Sequence, residues 1–363
     1  MKKYWLGGLL LLLAGAVAAL YRPDLSVAEL VPRYAPPPSR FMALDGMQVH
    51  YRVEGNPADS VPLVLLHGTG AMLQTWDGWV QALAPHRRLI RLDLPGYALT
   101  GPHPQNQISG TYYAGFVSRF LSKLGVPRCD LAGNSLGGNI AWHIALLDSA
   151  RVRRLVLIDA AGYPSVPRSV PLGFRLARVP GLSGLLCYLT PDALFRSSLQ
   201  NVYFADSLVT PARIRTYADL NRRAGNRASF VQRRPQPDSL WQQMGRIAQP
   251  TLILWGQHDD LIPVATAARF RRDLPHSTPI TYPNAGHVPM EEIPAQTARD
   301  FRVWSERLKT PSPHAYETPA PAATPVAGLH NAYQTHSGGF FRRLHHRGRG
   351  HTRWLHYPNT GHH

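Results

Sequence analysis

Ser135 lies in the stretch LAGNSLGG, residues 131–138, flanked by Gly133, Gly137 and Gly138. Glycine loses more backbone freedom on folding than any other residue, so its crowding around one serine needs a geometric reason. The pattern is G-x-S-x-G, placed after an apolar run and before a helical one. That is the signature of a strand–turn–helix elbow, too tight for bulky neighbours, which lifts the serine hydroxyl clear of the sheet edge. The following helix points its positive end at the site and favours a developing anion there.

A serine hydroxyl is a poor nucleophile until a base takes its proton. Among the 17 histidines, His287 in NAGHVPMEEIP is the candidate base. It follows the last expected strand and comes after the serine in chain order. The candidate orienting acid is Asp259 in LWGQHDDLIP, just beyond another strand end, where a buried carboxylate would fix the imidazole tautomer. Asp260 and Asp159 are the alternatives. Oxyanion donors are expected at the backbone N–H of Leu136, beside the serine, and of Thr69 in the HGTG loop. His67 in that loop reads as a structural hydrogen-bonder.

These residues need a scaffold that brings strand ends together. MQVHYRVEG alternates, with Met47, Val49, Tyr51 and Val53 on one face, as in a half-buried strand. FMALDG before it pairs as a hairpin through Asp45-Gly46. The runs VPLVLLHG, RRLIRLDLPG, RCDLAGNS, RLVLIDAAG, PTLILWG and TPITYPNAG are continuously apolar, which suits strands buried on both faces of a parallel sheet. Helical patterns fill most gaps, at residues 76–83, 112–124, 138–147, 265–274 and 295–308. Strand–helix alternation predicts an α/β fold with its ligand crevice at the carboxyl ends of the strands. All the residues singled out above lie at such ends.

The gap at residues 163–246 is too long for a crossover and contains no buried strand. Segments such as LVTPARIRTYADLNRRA read as helical, with Thr210 as N-cap and Pro211 in the first position. A helical cap inserted into a core of residues 41–162 and 247–309 is therefore expected. The cap carries 12 Arg against 4 Asp. These arginines would steer an anionic substrate or rest on anionic lipid. Leu172, Phe174, Leu176, Leu182, Leu185, Leu186, Leu189 and Phe204 are candidates for an apolar entrance.

The chain of 363 residues has a formal net charge of +17, from 39 Lys+Arg against 22 Asp+Glu. Arginine outnumbers lysine 35 to 4, so base composition accounts for much of that excess, and no nucleic-acid partner is expected. Two cysteines exclude a disulfide framework. Lys2 and Lys3 precede an uncharged stretch at residues 4–21, about 27 Å long as a helix. It reads as a signal peptide cleaved near Ala16-Val17-Ala18 or as an uncleaved anchor. The expected location is the cell membrane with the catalytic domain outside the cytoplasm, or the periplasm or exterior after cleavage. Residues 22–40 read as a connector. Residues 310–363 read as a Pro/Ala linker and a disordered tail rich in His and Arg, with His330, His336, His345, His346, His351, His356, His362 and His363. Their spacing matches no metal fold, and no metal is expected.

The order Ser135, Asp259, His287, with LLHGTG, DLPGYALTGP, GNSLGG, LWGQHDDLIP and GHVPMEEIP, resembles the α/β-hydrolase fold superfamily. More narrowly it resembles single-cap esterases, lipases and carbon–carbon bond hydrolases. The resemblance implies an eight-stranded, mostly parallel sheet with helices on both faces, an inserted helical cap and no cofactor. The expected activity is a serine hydrolase cleaving a carboxylic ester or related acyl bond of a small molecule. The alternatives are a carbon–carbon bond hydrolase on the same triad and a membrane-tethered binding module. Two departures stand out. Ala98 replaces a glycine of the family's G-x-G-x-S turn, so a different path is expected there, and HGTGAM stands where many carbon–carbon hydrolases carry HGGGPG.

Overall fold

The structure is a computed structural model and describes residues 2–106, 108–179, 181, 183–232 and 238–308. The proposed tail at 310–363 and the cap residue Leu182 lie outside these residues.

Eight strands form one sheet: β1 Arg40–Leu44, β2 Met47–Gly55, β3 Leu63–Leu66, β4 Arg88–Leu92, β5 Cys129–Asn134, β6 Val152–Ile158, β7 Thr251–Gly256 and β8 Ser277–Tyr282. Their spatial order is β1-β2-β4-β3-β5-β6-β7-β8. The Asp45-Gly46 turn joins β1 to β2 as an antiparallel hairpin with Phe41 opposite His50. β2 also runs antiparallel to β4, with Val53 opposite Ile90. The other pairings are parallel. Each strand expected from sequence is present, and the eight-stranded, mostly parallel α/β sheet is as expected.

The continuous apolar runs are explained by two cores, one on each face. Leu63 and Leu65 of β3 face one side with Trp76, Trp79, Phe301 and Trp304. Val64 and Leu66 face the other with Phe116, Phe120, Ile140 and Trp142. Alternate side chains thus point to opposite faces, and both faces are dry. Full burial of one such side chain contributes about 1.5–3 kcal/mol. Helices Asp77–Leu83 and Pro294–Arg307 cover the first face, and Gly110–Lys123, Leu136–Leu147 and Ala265–Asp273 the second. The indole N–H of Trp79 is satisfied by Thr297 Oγ1 at 2.8 Å, which pins two helices of the first face together.

Between β6 and β7 lie helices Leu172–Ala177, Asp192–Gln200, Pro211–Asn221 and Asn226–Gln232. Thr210 caps the third: its hydroxyl accepts the Arg213 N–H at 3.2 Å, with Pro211 opening the helix.

Residues 22–40 are more ordered than a plain connector. Helix Val27–Tyr34 starts with a capping box in which Ser26 and Glu29 satisfy each other's backbone N–H groups. Leu30 is fully buried with Met72, Ala98, Leu99 and Leu220. The Tyr34 hydroxyl and Arg33 both reach Asp219 of the third cap helix, at 2.8 and 2.9 Å. Asp24 holds Arg227 of the fourth at 2.6 Å. The segment therefore straps the cap to the core. Before it, helix Lys2–Leu20 exposes Tyr4, Trp5, Leu11 and Leu12. Among the described residues no helix is long and apolar enough to cross a membrane.

Candidate active site

The elbow has the geometry that its glycines imply. Ser135 sits between β5 and helix Leu136–Leu147 at φ 54° and ψ −115°, a conformation that L-residues rarely adopt. A Cβ on Gly133 would lie 2.1 Å from the Gly137 carbonyl oxygen, and one on Gly137 would lie 2.1 Å from that of Leu66. Neither position tolerates a side chain. The backbone locks the turn further: Ser135 N–H donates to the Ile158 carbonyl at 3.1 Å, and its own carbonyl accepts the Ala161 N–H at 3.0 Å.

Asp259 and His287 meet. His287 Nδ1 lies 2.7 Å from Asp259 Oδ2. Asp259 Oδ1 accepts the N–H groups of Leu261 and Ile262 at 2.9 and 2.8 Å, which fixes the carboxylate. Asp260, the neighbouring alternative, is about half exposed and faces Arg168 at 3.9 Å. Asn134, beside the serine, donates from Nδ2 to the His287 carbonyl at 2.9 Å. The histidine loop is thereby tied to the elbow. Ser135, Asp259 and His287 are 9, 1 and 5 % exposed, so any chemistry among them is shielded from bulk water.

The HGTG loop passes directly over the elbow. A Cβ on Gly68 would lie 3.2 Å from that of Ser135. This puts Gly68, the residue before Thr69, beside the serine. His67 is a structural hydrogen-bonder: its Nε2 accepts the Leu94 N–H at 3.0 Å and its Nδ1 lies 2.8 Å from the Gly68 carbonyl. Burial holds its imidazole below the ordinary range despite nearby Asp93. The turn with Ala98 in place of glycine keeps a left-handed backbone, at φ 42°. Asn226 of the cap holds it by donating to the Ala98 carbonyl at 3.0 Å.

The sequence gives no role to Glu291 and Glu292, and offers Asp159 only as an alternative to Asp259. Glu292 Oε1 accepts the Gly286 N–H at 2.7 Å, and Oε2 accepts the Phe204 N–H of the cap at 2.8 Å. With the His287 N–H donating to the Val202 carbonyl at 2.8 Å, the histidine loop and cap are fastened together. The neighbouring Glu291 accepts from the hydroxyls of Tyr203 and Tyr217 at 2.7 and 2.8 Å, and burial pushes its carboxyl above the usual range. Asp159 is buried at the end of β6, and burial plus the Asp259 charge push its carboxyl well up. Asp159, Asp259 and His287 bring potential ligand atoms within 4.8 Å of one another. A metal there would compete with the Asp259–His287 hydrogen bond.

A cavity of about 140 Å³ adjoins the site. Its walls are mostly apolar, with Phe174, Leu186, Leu199, Val202 and Phe230, and with Tyr217, Asn221 and Arg227 as polar groups. Thr69 and Gly70 of the HGTG loop also line it, as does Val202, whose carbonyl accepts the His287 N–H. Of the entrance residues expected from sequence, Phe174 and Leu186 line it, whereas Leu172, Leu185 and Phe204 face outward.

Residues 61–294 match the profile described as alpha/beta hydrolase fold. The chain belongs to the α/β-hydrolase family. Within it, the chain is 29% identical to 2-hydroxy-6-oxononadienedioate/2-hydroxy-6-oxononatrienedioate hydrolase 2 of Pseudomonas putida, covering 66% of this chain and 85% of that one. A meta-cleavage product hydrolase from Pseudomonas fluorescens superposes with a TM-score of 0.64 at 22% identity, over 74% of this chain and 98% of that one, which supports the fold. A bacterial membrane phospholipase A superposes with a TM-score of 0.60 at 26% identity, over 86% of this chain and all (100%) of that one. The α/β-hydrolase assignment makes this chain an enzyme of the hydrolase class, with which a small-molecule substrate is consistent.

Proposed function

We propose that the chain is a serine hydrolase that cleaves a carboxylic ester through an acyl-enzyme. Ser135 Oγ attacks the carbonyl carbon as His287 takes its proton, and Asp259 stabilises the imidazolium. The N–H groups of Leu136 and Thr69 hold the oxyanion. His287 then protonates the leaving alkoxide, and later activates the water that releases the acid. The observation that carries the reading is the conjunction of the strained Ser135 elbow with the 2.7 Å Asp259–His287 pair, tied together through Asn134. The apolar cavity beside Thr69 suits an acyl chain.

A second reading, carbon–carbon bond hydrolysis on the same residues, is favoured by the Pseudomonas putida relative, which is named for that kind of substrate. A panel of p-nitrophenyl esters and a vinylogous diketone, assayed with wild type and Ser135→Ala, separates the two. Ester turnover lost in the variant supports the first; diketone cleavage without ester turnover supports the second.

The reading extends to location: the N-terminal helix holds the enzyme at a lipid surface, with the hydrolase domain outside the cytoplasm. Its support is the row of exposed Tyr4, Trp5, Leu11 and Leu12, with the phospholipase likeness covering 86% of the chain. Removing residues 1–21 releases the protein from the membrane fraction in this reading; unchanged fractionation contradicts it.

A further inference from the structure

Asp159 has no part in the relay just described, yet it is buried against it. It follows β6 at φ 44°, in the left-handed region. A non-glycine residue persists there only where its surroundings over-determine it. Its Oδ1 accepts the Gly256 N–H at 2.9 Å. Its Oδ2 is buried, and among the described residues no donor reaches it. An acceptor left bare in a dry site is costly. The neighbour that could satisfy it is Asp259, whose carboxylate lies in the same cluster of atoms within 4.8 Å.

Two ionised carboxylates so close and so buried cannot both persist. Asp259 already has three N–H partners, from Leu261, Ile262 and His287, and is the ionised member. The bare oxygen of Asp159 is satisfied if it carries the proton. We propose that Asp159 is a positioning residue: it stays protonated and donates from Oδ2 to the Asp259 carboxylate that orients His287.

Burial and the Asp259 charge both push the Asp159 carboxyl up, and the Gly256 N–H opposes them more weakly. The other titratable groups facing it are His287, Glu292 and Tyr282. A fourth donor spreads the charge of Asp259 and weakens its hold on the imidazolium.

The inference rests on the hydrolase reading above but is tested apart from it. Asp159→Asn presents an N–H where the acid presents its O–H, whereas Asp159→Ala presents nothing. In the full chain, the Asn variant keeps kcat/KM within about twofold and leaves the acid limb of its pH profile in place. The Ala variant loses about tenfold, the scale of one hydrogen bond to a charged group, and its acid limb moves to higher pH. The low-field proton resonance of the His287–Asp259 hydrogen bond, read without substrate, stays in place in the Asn variant and moves in the Ala variant. If that resonance behaves so while no ester is cleaved, the ester-cleavage reading fails and the inference stands. If Asp159 is ionised, Asn removes a negative charge beside the imidazolium and moves the acid limb to lower pH. That result overturns the proposal even if the Ala variant does not fold. A wild-type acid limb and resonance in a folded Ala variant overturn it as well.

Discussion

The rim of the sheet and the cap above it are built by different rules. At the rim, each chemical group follows a strand end within a few residues, and backbone contacts leave it no freedom. Gly133 and Gly137 admit no side chain, and Asp259 is held by two backbone N–H groups. The cap is made of short helices whose positions depend on partners far along the chain. Asp219 is gripped by Arg33 and Tyr34, Arg227 by Asp24, and Phe204 by Glu292. In the proposed reaction, the rim fixes what chemistry is possible and the cap fixes what reaches it. Substitutions at the rim should therefore act on all substrates alike, and those in the cap should act on some and not others.

The largest expected loss tests the rim. Ser135→Ala or His287→Ala should lower kcat by about 10⁶ on every ester of a panel, since triad members act as a unit. A variant that loses activity on only some esters would erase the distinction. Next is Asp259→Asn, which keeps the shape but disturbs the tautomer. It should cost about 10⁴ in kcat with KM little changed. In the cap, Phe174→Ala enlarges the cavity and should shift preference toward bulkier acyl groups by about tenfold. Activity on the shortest ester should be nearly unchanged; a uniform loss would place Phe174 with the rim.

The smallest effect lies where the two regions join. Burial raises the Glu291 carboxyl in the folded chain. The folded state thus binds this proton more tightly than the unfolded chain does. Stability from this group is complete below the unfolded value, near 4.5, and declines as pH rises through the folded one. Glu291→Gln should make the thermal midpoint less dependent on pH between 5 and 8, by a few degrees (~1 kcal/mol). An equal pH dependence in both proteins would remove Glu291 from the account.

The same contrast explains what was legible in the sequence. The strands were readable because burial on both faces leaves unbroken apolar runs. The elbow was readable because only glycine fits at two of its positions. The proximity of Asp159 to Asp259 was not, since it depends on the lateral pairing of β6 with β7. The cavity wall was half readable: helix Leu172–Ala177 spans under two turns, too few to define a face, so Phe174 and Leu172 look alike in sequence. The strap at Val27–Tyr34 did leave a local signal, because Ser26 followed three residues later by Glu29 before an apolar residue is a capping box.

Covalent labelling tests the central claim most directly. A fluorophosphonate, which releases fluoride when an activated serine attacks phosphorus, is incubated with the full chain and the adduct is mapped by mass spectrometry. The account predicts one adduct, on Ser135, absent from Ser135→Ala and strongly slowed in His287→Ala. Ester hydrolysis that continues with Ser135 unlabelled, or equal labelling in the absence of His287, would contradict it.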